Sequence, residues 1–236
     1  MIFAAGLGTR LRPLTNSKPK ALVELNGKPL LQIAIEKIKK LGITKIVINA
    51  HHFSEQIISF AEKYEDKDVE LIISDETNQL LNTGGGLMKA SQYFDKNSDI
   101  LIYNADVITT APIDLLIKTH QEQKNLATLM TQKRDASRFL YFDKNNQLKG
   151  WRNPKTGKEI WTQHSPTATP MGFNGVHIIN SQIFDLIKKE GEFSIIPEYL
   201  ELAKDYSIKG WSDWAGIWQD VGTPEKLREI EEMGIV

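Results

Sequence analysis

Short apolar runs alternate with segments of helical period along the first half of the chain. Three of these runs predict strands that are buried on one or both faces: residues 46–49, 69–73 and 100–103. Ahead of them, apolar residues recur every three or four positions and predict one face of a helix: Leu30, Ala34, Ile38 and Leu41. Pro29 would open this helix near its first position (N1), and Gly42 would end it. A second helix is predicted over residues 54–64. The alternation predicts an α/β fold with a parallel sheet and right-handed crossovers.

The second half has shorter apolar runs and more turn residues. Residues 139–151 predict a β-hairpin, because the polar segment 143–147 separates two apolar runs. Residues 152–170 mix Pro, Thr, Gly and Trp without a period and are predicted as a loop or edge insertion over a ligand site. A strand should resume at residues 175–179, and the pair Thr223-Pro224 should cap and open a last helix. We therefore predict one domain with a β-rich second lobe.

The composition limits the classes of partner. The chain has 236 residues, 41% hydrophobic and 25% charged, which is typical of a soluble globular protein with a sizeable core. The formal net charge of −1 gives no overall basic field, so neither nucleic acid nor a membrane is expected as a partner. The absence of cysteine excludes disulfides, thiolate nucleophiles and cysteine metal ligands. Because the sequence has neither a signal-peptide pattern nor a membrane-spanning apolar run, we expect a cytoplasmic protein.

A glycine-rich loop, Ala5-Gly6-Leu7-Gly8-Thr9-Arg10, follows the first short apolar run. Its glycines let backbone N–H groups approach an anion. Four cations stand within residues 10–20: Arg10, Arg12, Lys18 and Lys20. Backbone donors and local cations together suit a triphosphate. Leu11 stands where a dinucleotide fingerprint needs glycine, and the Gly-Lys-Ser/Thr of NTPase loops is absent. The alternative is an ordinary strand–loop turn with a solvated basic edge.

Two aspartates, Asp106 and Asp220, follow apolar segments at places where open α/β sheets bind ligands. Carboxylates at such strand ends suit Mg²⁺, a hard ion that takes a few carboxylates together with phosphate oxygens and water. Taken alone, each aspartate could equally be a turn former or a helix cap. The three glycines at 84–86, ahead of a helix predicted over residues 88–93, could likewise be a flexible joint.

The motif from Gly6 to Thr15, followed by Lys18-Pro19-Lys20-Ala21-Leu22-Val23, resembles the signature of the sugar-phosphate nucleotidyltransferase family. Further elements resemble the family in its own order: Thr83-Gly84-Gly85-Gly86, Asn104-Ala105-Asp106, Phe173-Asn174-Gly175-Val176-His177, Glu192-Phe193 and Trp218-Gln219-Asp220-Val221-Gly222-Thr223-Pro224. The resemblance implies the nucleotide-diphospho-sugar transferase fold, a Rossmann-like mixed, mainly parallel sheet flanked by helices, with a small β-rich sugar-binding lobe. Within a single domain, 1–236, residues 1–132 would form the nucleotide-binding half, and residues 133–236 the sugar-binding half with a closing helix. Glu24, where many members have proline, and Ala105 in place of glycine depart from the pattern.

The resemblance also implies roles for single residues. The catalytic residues would be Arg10 and Lys20. The nucleotide would be bound by Ala5, Gly6, Gly8, Thr9, Gly84, Gly85 and Asn104. The metal ion, Mg²⁺, would be held by Asp106 and Asp220. The sugar would be bound by Asn174 and Glu192.

These roles imply transfer of a nucleotidyl group from a nucleoside triphosphate to a sugar 1-phosphate. An oxygen of the sugar phosphate would attack the α-phosphorus in line and expel pyrophosphate, without a protein nucleophile. The Thr-Gly-Gly-Gly form resembles the N-acetylmuramate 1-phosphate uridylyltransferases of cell-wall recycling and favours UTP. A mannose-1-phosphate guanylyltransferase, another hexose-1-phosphate enzyme and a non-catalytic nucleotide-sugar sensor are the alternatives. We expect a monomer or small homo-oligomer, without the acyltransferase repeats of the bifunctional members.

Overall fold

Strands and helices alternate along the described chain. The structure, a computed structural model, describes residues 1–163 and 165–235. Its strands are β1 (Ile2–Phe3), β2 (Glu24–Leu25), β3 (Lys28–Pro29), β4 (Lys45–Ala50), β5 (Glu70–Asp75), β6 (Asp99–Asn104), β7 (Val107–Thr109), β8 (Ala127–Gln132), β9 (Phe139–Phe142), β10 (Leu148–Arg152), β11 (Glu159–Trp161), β12 (Thr169–Asn180), β13 (Ile208–Trp211) and β14 (Trp218–Asp220). Its α-helices are α1 (Leu30–Lys39), α2 (Ser54–Glu62), α3 (Asn82–Ala90), α4 (Ile113–Gln123), α5 (Ile183–Leu186), α6 (Ile195–Leu202) and α7 (Pro224–Met233). Within the described residues, no helix combines the length and the apolar character needed to cross a membrane.

The chain folds into two compact units, each built from separated segments. The first unit contains Met1–Asn82, Tyr103–Ala111 and the described residues from Gly216 onward. The second unit contains Thr83–Ile102 and Pro112–Ala215. The glycine loop and both aspartates therefore belong to the first unit.

A parallel sheet forms the centre of the first unit. In it β1 lies between β4 and the end of β6, and β5 pairs with the other side of β4. β4 is buried from Ile46 through Ala50, as expected for a parallel strand covered on both faces. The buried face of α1 repeats every three or four residues: Leu30, Leu31, Ala34, Ile35 and Ile38.

An apolar cluster fixes the short strands of the first unit. β7 pairs antiparallel with β14, and β2 pairs antiparallel with β3. The buried cluster joins these pairs to α1, α7 and the turn after the glycine loop: Leu11, Val23, Leu25, Leu30, Ile108, Val221, Leu227 and Ile230. Each fully buried aliphatic side chain contributes roughly 1.5–3 kcal/mol. The cluster therefore holds the loop, β7 and β14 as one structure.

The second unit is rich in antiparallel strands. β12 pairs with β8 and β9, β9 with β10, and β10 with β11, all antiparallel, whereas β13 is parallel to β8. α4 packs on β8 and β12, and α6 packs on β10 and β11. The core lies along β8, buried from Ala127 through Thr131, and along β12, buried from Asn174 through Ile179.

Most of the predicted elements are confirmed. The three predicted strands are β4, β5 and β6, and the predicted hairpin is formed by β9 and β10. The last helix begins at Pro224, and the Thr223 hydroxyl accepts a hydrogen bond from the Lys226 N–H at 3.4 Å. The α/β class is confirmed by the alternation of parallel strands and helices in the first unit.

One local prediction is wrong: the helix predicted over residues 88–93 begins at Asn82, so glycines 84–86 lie inside its first turns. The helix predicted to open near Pro29 is α1, and Pro29 is its N-cap. In the segment 152–170, predicted as a loop or edge insertion, β11 extends the antiparallel sheet beyond β10.

Candidate active site

The glycine loop follows β1, and a hydrogen bond to the carbonyl of Gly8 closes the loop. Gly8 has φ +62°, in the left-handed region that favours glycine, and the Thr15 hydroxyl donates to its carbonyl at 2.8 Å. A Cβ on Gly8 would lie 3.0 Å from both the Lys20 Cβ and the Thr15 Cγ2. Gly6, in contrast, is exposed and has open space where a Cβ would stand. The loop therefore packs Lys20 against Gly8 and leaves Gly6 open to the approach of a ligand.

The entry to the loop is fixed by its neighbouring strands. The buried Asn49 of β4 accepts a hydrogen bond from the Ala4 N–H through Oδ1 at 2.8 Å. On the other side Phe3 pairs with Asn104 of β6. Three predicted nucleotide-binding residues of this part differ in exposure: Ala5 is buried, Asn104 is half-buried and Thr9 is exposed.

Asp106, in the turn just before β7, lies beside the end of β14, which carries Asp220. Asp220 stands opposite Val107, and the N–H of Val221 donates to the Asp106 carbonyl at 2.8 Å. Tyr103 holds the turn that carries Asp106, because its buried hydroxyl donates to the Val107 carbonyl at 2.9 Å. Burial, with a smaller effect of the Asp106 charge, raises the pKa of Tyr103 far above its usual range. The phenol therefore stays neutral and keeps this hydrogen bond.

Each aspartate forms an ion pair with a lysine. The Lys20 Nζ contacts the carboxylate of Asp106, and the Lys226 Nζ, from the first turn of α7, contacts the carboxylate of Asp220. The side chain of Lys20 is 15% exposed and that of Lys226 is 37% exposed. Each carboxylate is thus paired with one ammonium group, and none of the four side chains is more than 37% exposed.

Arg10 reaches the same place from the glycine loop. A Cβ built on Gly222 would lie 2.8 Å from the Asp220 Oδ2 and 3.4 Å from an Arg10 Nη atom. The arginine and the carboxylate therefore flank Gly222, which has no side chain to keep them apart. The loop cation, the loop lysine and both aspartates come together in one unit.

The aspartate pair suits one kind of metal site. Among residues 1–163 and 165–235, no three His, Cys, Asp or Glu side chains gather in a group that could hold a metal ion by themselves. Mg²⁺ needs only one or two carboxylates when phosphate oxygens and water supply the remaining ligands. Asp106 and Asp220 fit an ion of that kind, held jointly with a phosphate, and do not fit an all-protein metal centre.

In the second unit, the glycine segment starts α3 and binds a distant carbonyl. The N–H groups of Gly84 and Gly85 donate to the carbonyl of Phe193 at 2.8 and 3.3 Å. A Cβ on Gly84 would lie 2.3 Å from the Phe193 ring, so only glycine fits there. The exposed Glu192 immediately precedes Phe193. The predicted nucleotide-binding glycines are thus joined to the segment that carries a predicted sugar-binding residue.

The other predicted sugar-binding residue, Asn174, lies in the buried part of β12 with 0% exposure. Its Oδ1 accepts a hydrogen bond from the Nε of Arg134 at 3.0 Å. Arg134 is half-buried and belongs to the polar segment after β8. The sequence gives no periodic or motif signal for this arginine, and our prediction missed it.

The geometry of the loop and the aspartates agrees with a comparison of the whole sequence. The family model for nucleotidyl transferases matches residues 1–233. The chain belongs to the nucleotidyl transferase family.

This nucleotidyl transferase has relatives with different named substrates. It is 30% identical over 233 residues to the N-acetylmuramate alpha-1-phosphate uridylyltransferase of Caulobacter vibrioides, covering 95% of this chain and 92% of the relative. It is 29% identical over 230 residues to probable mannose-1-phosphate guanylyltransferase 2 of Oryza sativa, covering 95% of this chain and 61% of the relative. The chain therefore spans about three fifths of the length of that guanylyltransferase.

A solved structure shares the fold of this nucleotidyl transferase. The UDP-glucose pyrophosphorylase from Acinetobacter baumanii superposes with a TM-score of 0.80 at 16% identity, covering 98% of this chain and 90% of the other. At that identity the likeness concerns the fold alone, and it confirms the nucleotide-diphospho-sugar transferase fold predicted from the sequence.

The sequence prediction also missed Lys226 of this nucleotidyl transferase. A signal for it existed, because Thr223 and Pro224 are a recognisable helix start. The first turn of such a helix places the residue three positions after the cap close to the preceding strand end. That strand end is Asp220, which Lys226 contacts.

Proposed function

We propose that this protein transfers a nucleotidyl group from a nucleoside triphosphate, with UTP preferred, to a sugar 1-phosphate, with N-acetylmuramate 1-phosphate preferred. The observation that carries the proposal is the assembly of Arg10, Lys20, Asp106 and Asp220 around the glycine loop of one compact unit. The proposal includes Mg²⁺ as cofactor, a cytoplasmic location and a monomer or small homo-oligomer.

The loop supplies what a triphosphate needs. Gly6 offers an exposed backbone without a Cβ, and Thr9 is exposed next to it. Arg10 and Lys20 carry the positive charge that stabilises phosphate oxygens and the departing pyrophosphate. Asp106 and Asp220 would hold the Mg²⁺. When bound there, the ion neutralises charge on the phosphate oxygens and helps to orient them.

The reaction needs no protein nucleophile. A sugar-phosphate oxygen, already ionised at neutral pH, forms the new bond to the α-phosphorus of the nucleotide. The bond between that phosphorus and its bridging oxygen to the β-phosphorus breaks, and pyrophosphate leaves with the electron pair. Arg10 stabilises the leaving charge, and Lys20 positions the phosphates from the floor of the loop.

The proposal assigns different contacts to each of the two units. The first unit, with the loop and both aspartates, would bind the phosphates and the metal ion. The second unit, with Gly84 and Gly85, would contact the nucleobase, and its Asn174 and Glu192 segments would contact the sugar. The nucleotide-binding half over residues 1–132 and the sugar-binding half over residues 133–236 stay a prediction.

The substrate preference rests on resemblance. The uridylyltransferase relative is matched over 92% of its length. The Thr83-Gly84-Gly85-Gly86 sequence also resembles the form found in uridylyltransferases of that kind. The guanylyltransferase relative, at 29% identity, supports a second candidate, transfer from GTP to mannose 1-phosphate.

Pyrophosphate release tests the proposal. The purified protein with Mg²⁺ is given UTP or GTP, each with N-acetylmuramate, mannose or glucose 1-phosphate, and an Asp106→Asn variant serves as background. We expect the highest kcat/KM for UTP with N-acetylmuramate 1-phosphate. Faster turnover of GTP with mannose 1-phosphate would establish the second candidate. No release with any pair would favour a non-catalytic sensor of nucleotide sugars.

A further inference from the structure

A buried hydrogen-bond network lies in the first unit next to the glycine loop. The Ala4 N–H donates to the Asn49 Oδ1 at 2.8 Å, and the Asn49 Nδ2 donates to the Glu76 Oε1 at 2.7 Å. The other carboxylate oxygen of Glu76, Oε2, accepts from the Leu81 N–H at 3.2 Å. Asn49 and Glu76 are 2% and 1% exposed. Two buried side chains therefore connect two backbone N–H groups that stand far apart in the sequence.

One end of this network sets the start of the glycine loop. The strand β1 ends at Phe3, whose carbonyl accepts from the Ala105 N–H at 3.1 Å. The next N–H group, that of Ala4, donates to the side chain of Asn49 and not to a strand carbonyl. Asn49 thus holds the backbone where it leaves the sheet, two residues ahead of the exposed Gly6.

The other end of the network sets the segment ahead of α3. The Glu76 N–H donates to the Ala50 carbonyl at 2.7 Å, which prolongs the pairing of β5 with β4. The Glu76 carbonyl accepts from the Gln79 N–H at 3.0 Å, and its carboxylate accepts from Leu81. Residues 77–79 are exposed, yet the turn that they form is bonded to Glu76 on both sides. Leu81 directly precedes α3, which carries the glycines predicted to bind the nucleotide.

The two ends of the network fix the direction of its hydrogen bonds. A backbone N–H can only donate, so the amide atom of Asn49 that faces Ala4 is the oxygen, and the NH2 group faces Glu76. The Leu81 N–H likewise requires an acceptor. Glu76 must therefore accept at both of its oxygens, which a carboxylate does and an amide cannot. In Glu76→Gln, an NH2 group would face the donor of either Asn49 or Leu81 and leave it buried without an acceptor.

We propose that Glu76 is a positioning residue for the nucleotide. Through Asn49 it fixes the start of the glycine loop, and through Leu81 it fixes the segment that leads into α3. The proposal rests on the proposed function, in which the loop and the start of α3 both contact the nucleotide. Breaking the network lowers the fraction of molecules in which both segments are in place, and the apparent affinity for the nucleotide falls by that fraction.

Separate KM values for the two substrates distinguish this role from a general effect on stability. The KM for UTP and the KM for N-acetylmuramate 1-phosphate are measured for the wild type and Glu76→Gln, with GTP and mannose 1-phosphate in their place if the wild type prefers that pair. Glu70→Gln, the same chemical change at the exposed start of β5, is the control. We expect Glu76→Gln to raise the nucleotide KM about tenfold, because a buried donor loses its acceptor. The sugar KM should stay within about twofold of the wild type.

A double variant tests the direction of the hydrogen bonds. When Asn49→Asp is combined with Glu76→Gln, the new carboxylate accepts from the Ala4 N–H and from the new amide. The oxygen of that amide accepts from the Leu81 N–H, so all three hydrogen bonds and the net charge are restored. The double variant should return the nucleotide KM to within about twofold of the wild type. Asn49→Asp alone places two carboxylates side by side and should raise the nucleotide KM as Glu76→Gln does.

Glu76→Asp covers the case in which Glu76→Gln does not fold. It keeps the charge, but its side chain is one methylene shorter and cannot reach both Asn49 and Leu81, so the nucleotide KM should rise severalfold. Three results would overturn the proposal: a nucleotide KM within about twofold of the wild type in the folded single variants, equal rises for nucleotide and sugar, or a double variant that keeps the defect.

Failure of the proposed function gives a different result. If the wild type releases no pyrophosphate with any pair, calorimetric binding of UTP in the presence of Mg²⁺ replaces the kinetics. Glu76→Gln should then weaken UTP binding about tenfold, whereas Glu70→Gln should leave it unchanged. Equal binding by the wild type and Glu76→Gln, or no binding by the wild type, would overturn the role of Glu76. Weakened binding without any turnover would overturn the transfer reaction alone.

Discussion

One buried histidine should dominate the pH dependence of the free energy of unfolding between pH 8 and pH 5. His177 lies in β12 with its ring edge-on to Phe173 and Tyr199, at centroid distances of 5.4 and 5.7 Å. Neither ring nitrogen has a hydrogen-bond partner within residues 1–163 and 165–235. Burial lowers the pKa of His177 from 6.5 to about 3. The folded protein therefore keeps this imidazole neutral under conditions in which the unfolded chain protonates it.

The sign and size of the effect follow from this difference. Below pH 6.5 the unfolded chain binds a proton at His177, and the folded protein does not bind it until the pH falls to about 3. The stabilising contribution is therefore fully present above pH 6.5 and is lost as the pH falls. Between pH 8 and pH 5, this single group should lower the free energy of unfolding by about 2 kcal/mol.

Urea unfolding at pH 8, 7, 6 and 5 measures this contribution by comparing the wild type with His177→Leu. The free energy of unfolding of the wild type minus that of His177→Leu should be about 2 kcal/mol larger at pH 8 than at pH 5, whatever the effect of the substitution itself on stability. Tyr199→Phe is the matched control from the same cluster. Because burial raises the pKa of Tyr199 well above its usual value, the phenol is neutral throughout and the control should keep the wild-type pH dependence. Parallel pH curves for wild type and His177→Leu would refute the reasoning.

Three further changes test the site. Asp106→Asn and Asp220→Asn should each lower turnover by on the order of a hundredfold or more, with unchanged thermal melting; near-normal pyrophosphate release in either would remove that residue from the metal site. Lys226→Met should tighten Mn²⁺ binding by up to about fivefold, because the partly exposed ion pair that it removes contributes at most ~1 kcal/mol. The EPR signal of free Mn²⁺ measures the binding, and an unchanged or weaker affinity would contradict the competition between Lys226 and the metal ion. Gly84→Ala should lower the free energy of unfolding in urea, because overpacking against Phe193 costs about 1–3 kcal/mol and exceeds a helix-propensity gain of at most ~1 kcal/mol. An unchanged urea midpoint would mean that the ring moves aside freely.

The elements that could be predicted from the sequence are those with local causes. The residues of β4 from Ile46 to Ala50 form an unbroken buried run, so the apolar pattern alone identifies the strand. The start of α7 is equally local, since Thr223 and Pro224 supply the cap and the preset first turn. The contiguous motif around Arg10 and Lys20 is local as well, and the catalytic roles of these two residues stay a prediction.

The start of α3 could not be predicted, because its cause lies far along the chain. Glycines disfavour a helix interior by roughly 1 kcal/mol each. The helix nevertheless begins at Asn82, because the Phe193 carbonyl accepts the N–H groups of Gly84 and Gly85, and the Thr83 hydroxyl accepts the N–H of Ile195 at 3.0 Å. No local pattern encodes a partner more than a hundred residues away.

The contacts of Arg134 could not be predicted from the sequence for a related reason. It stands in a polar segment without a period, and its contacts depend on a bulge in β12 and on the absence of a side chain at Gly172. Each of these features is visible only when β8 and β12 are paired. Asn174 was noticed because of its motif, but its complete burial is a tertiary property.

The two lysine–aspartate pairs of the first unit have unequal roles despite their similar geometry. The stem of Lys20 packs on Gly8, in a loop that the Thr15 hydroxyl closes, and its side chain is only 15% exposed. Lys226 is 37% exposed and stands on the first turn of a helix, where its long side chain can turn toward water. A metal ion that binds the aspartates competes with both ammonium groups. The less restrained ammonium group is displaced at a lower cost in free energy. Under the proposed function, Lys226 would therefore be the partner that a metal ion displaces from Asp220, while Lys20 would remain in the loop to contact phosphate.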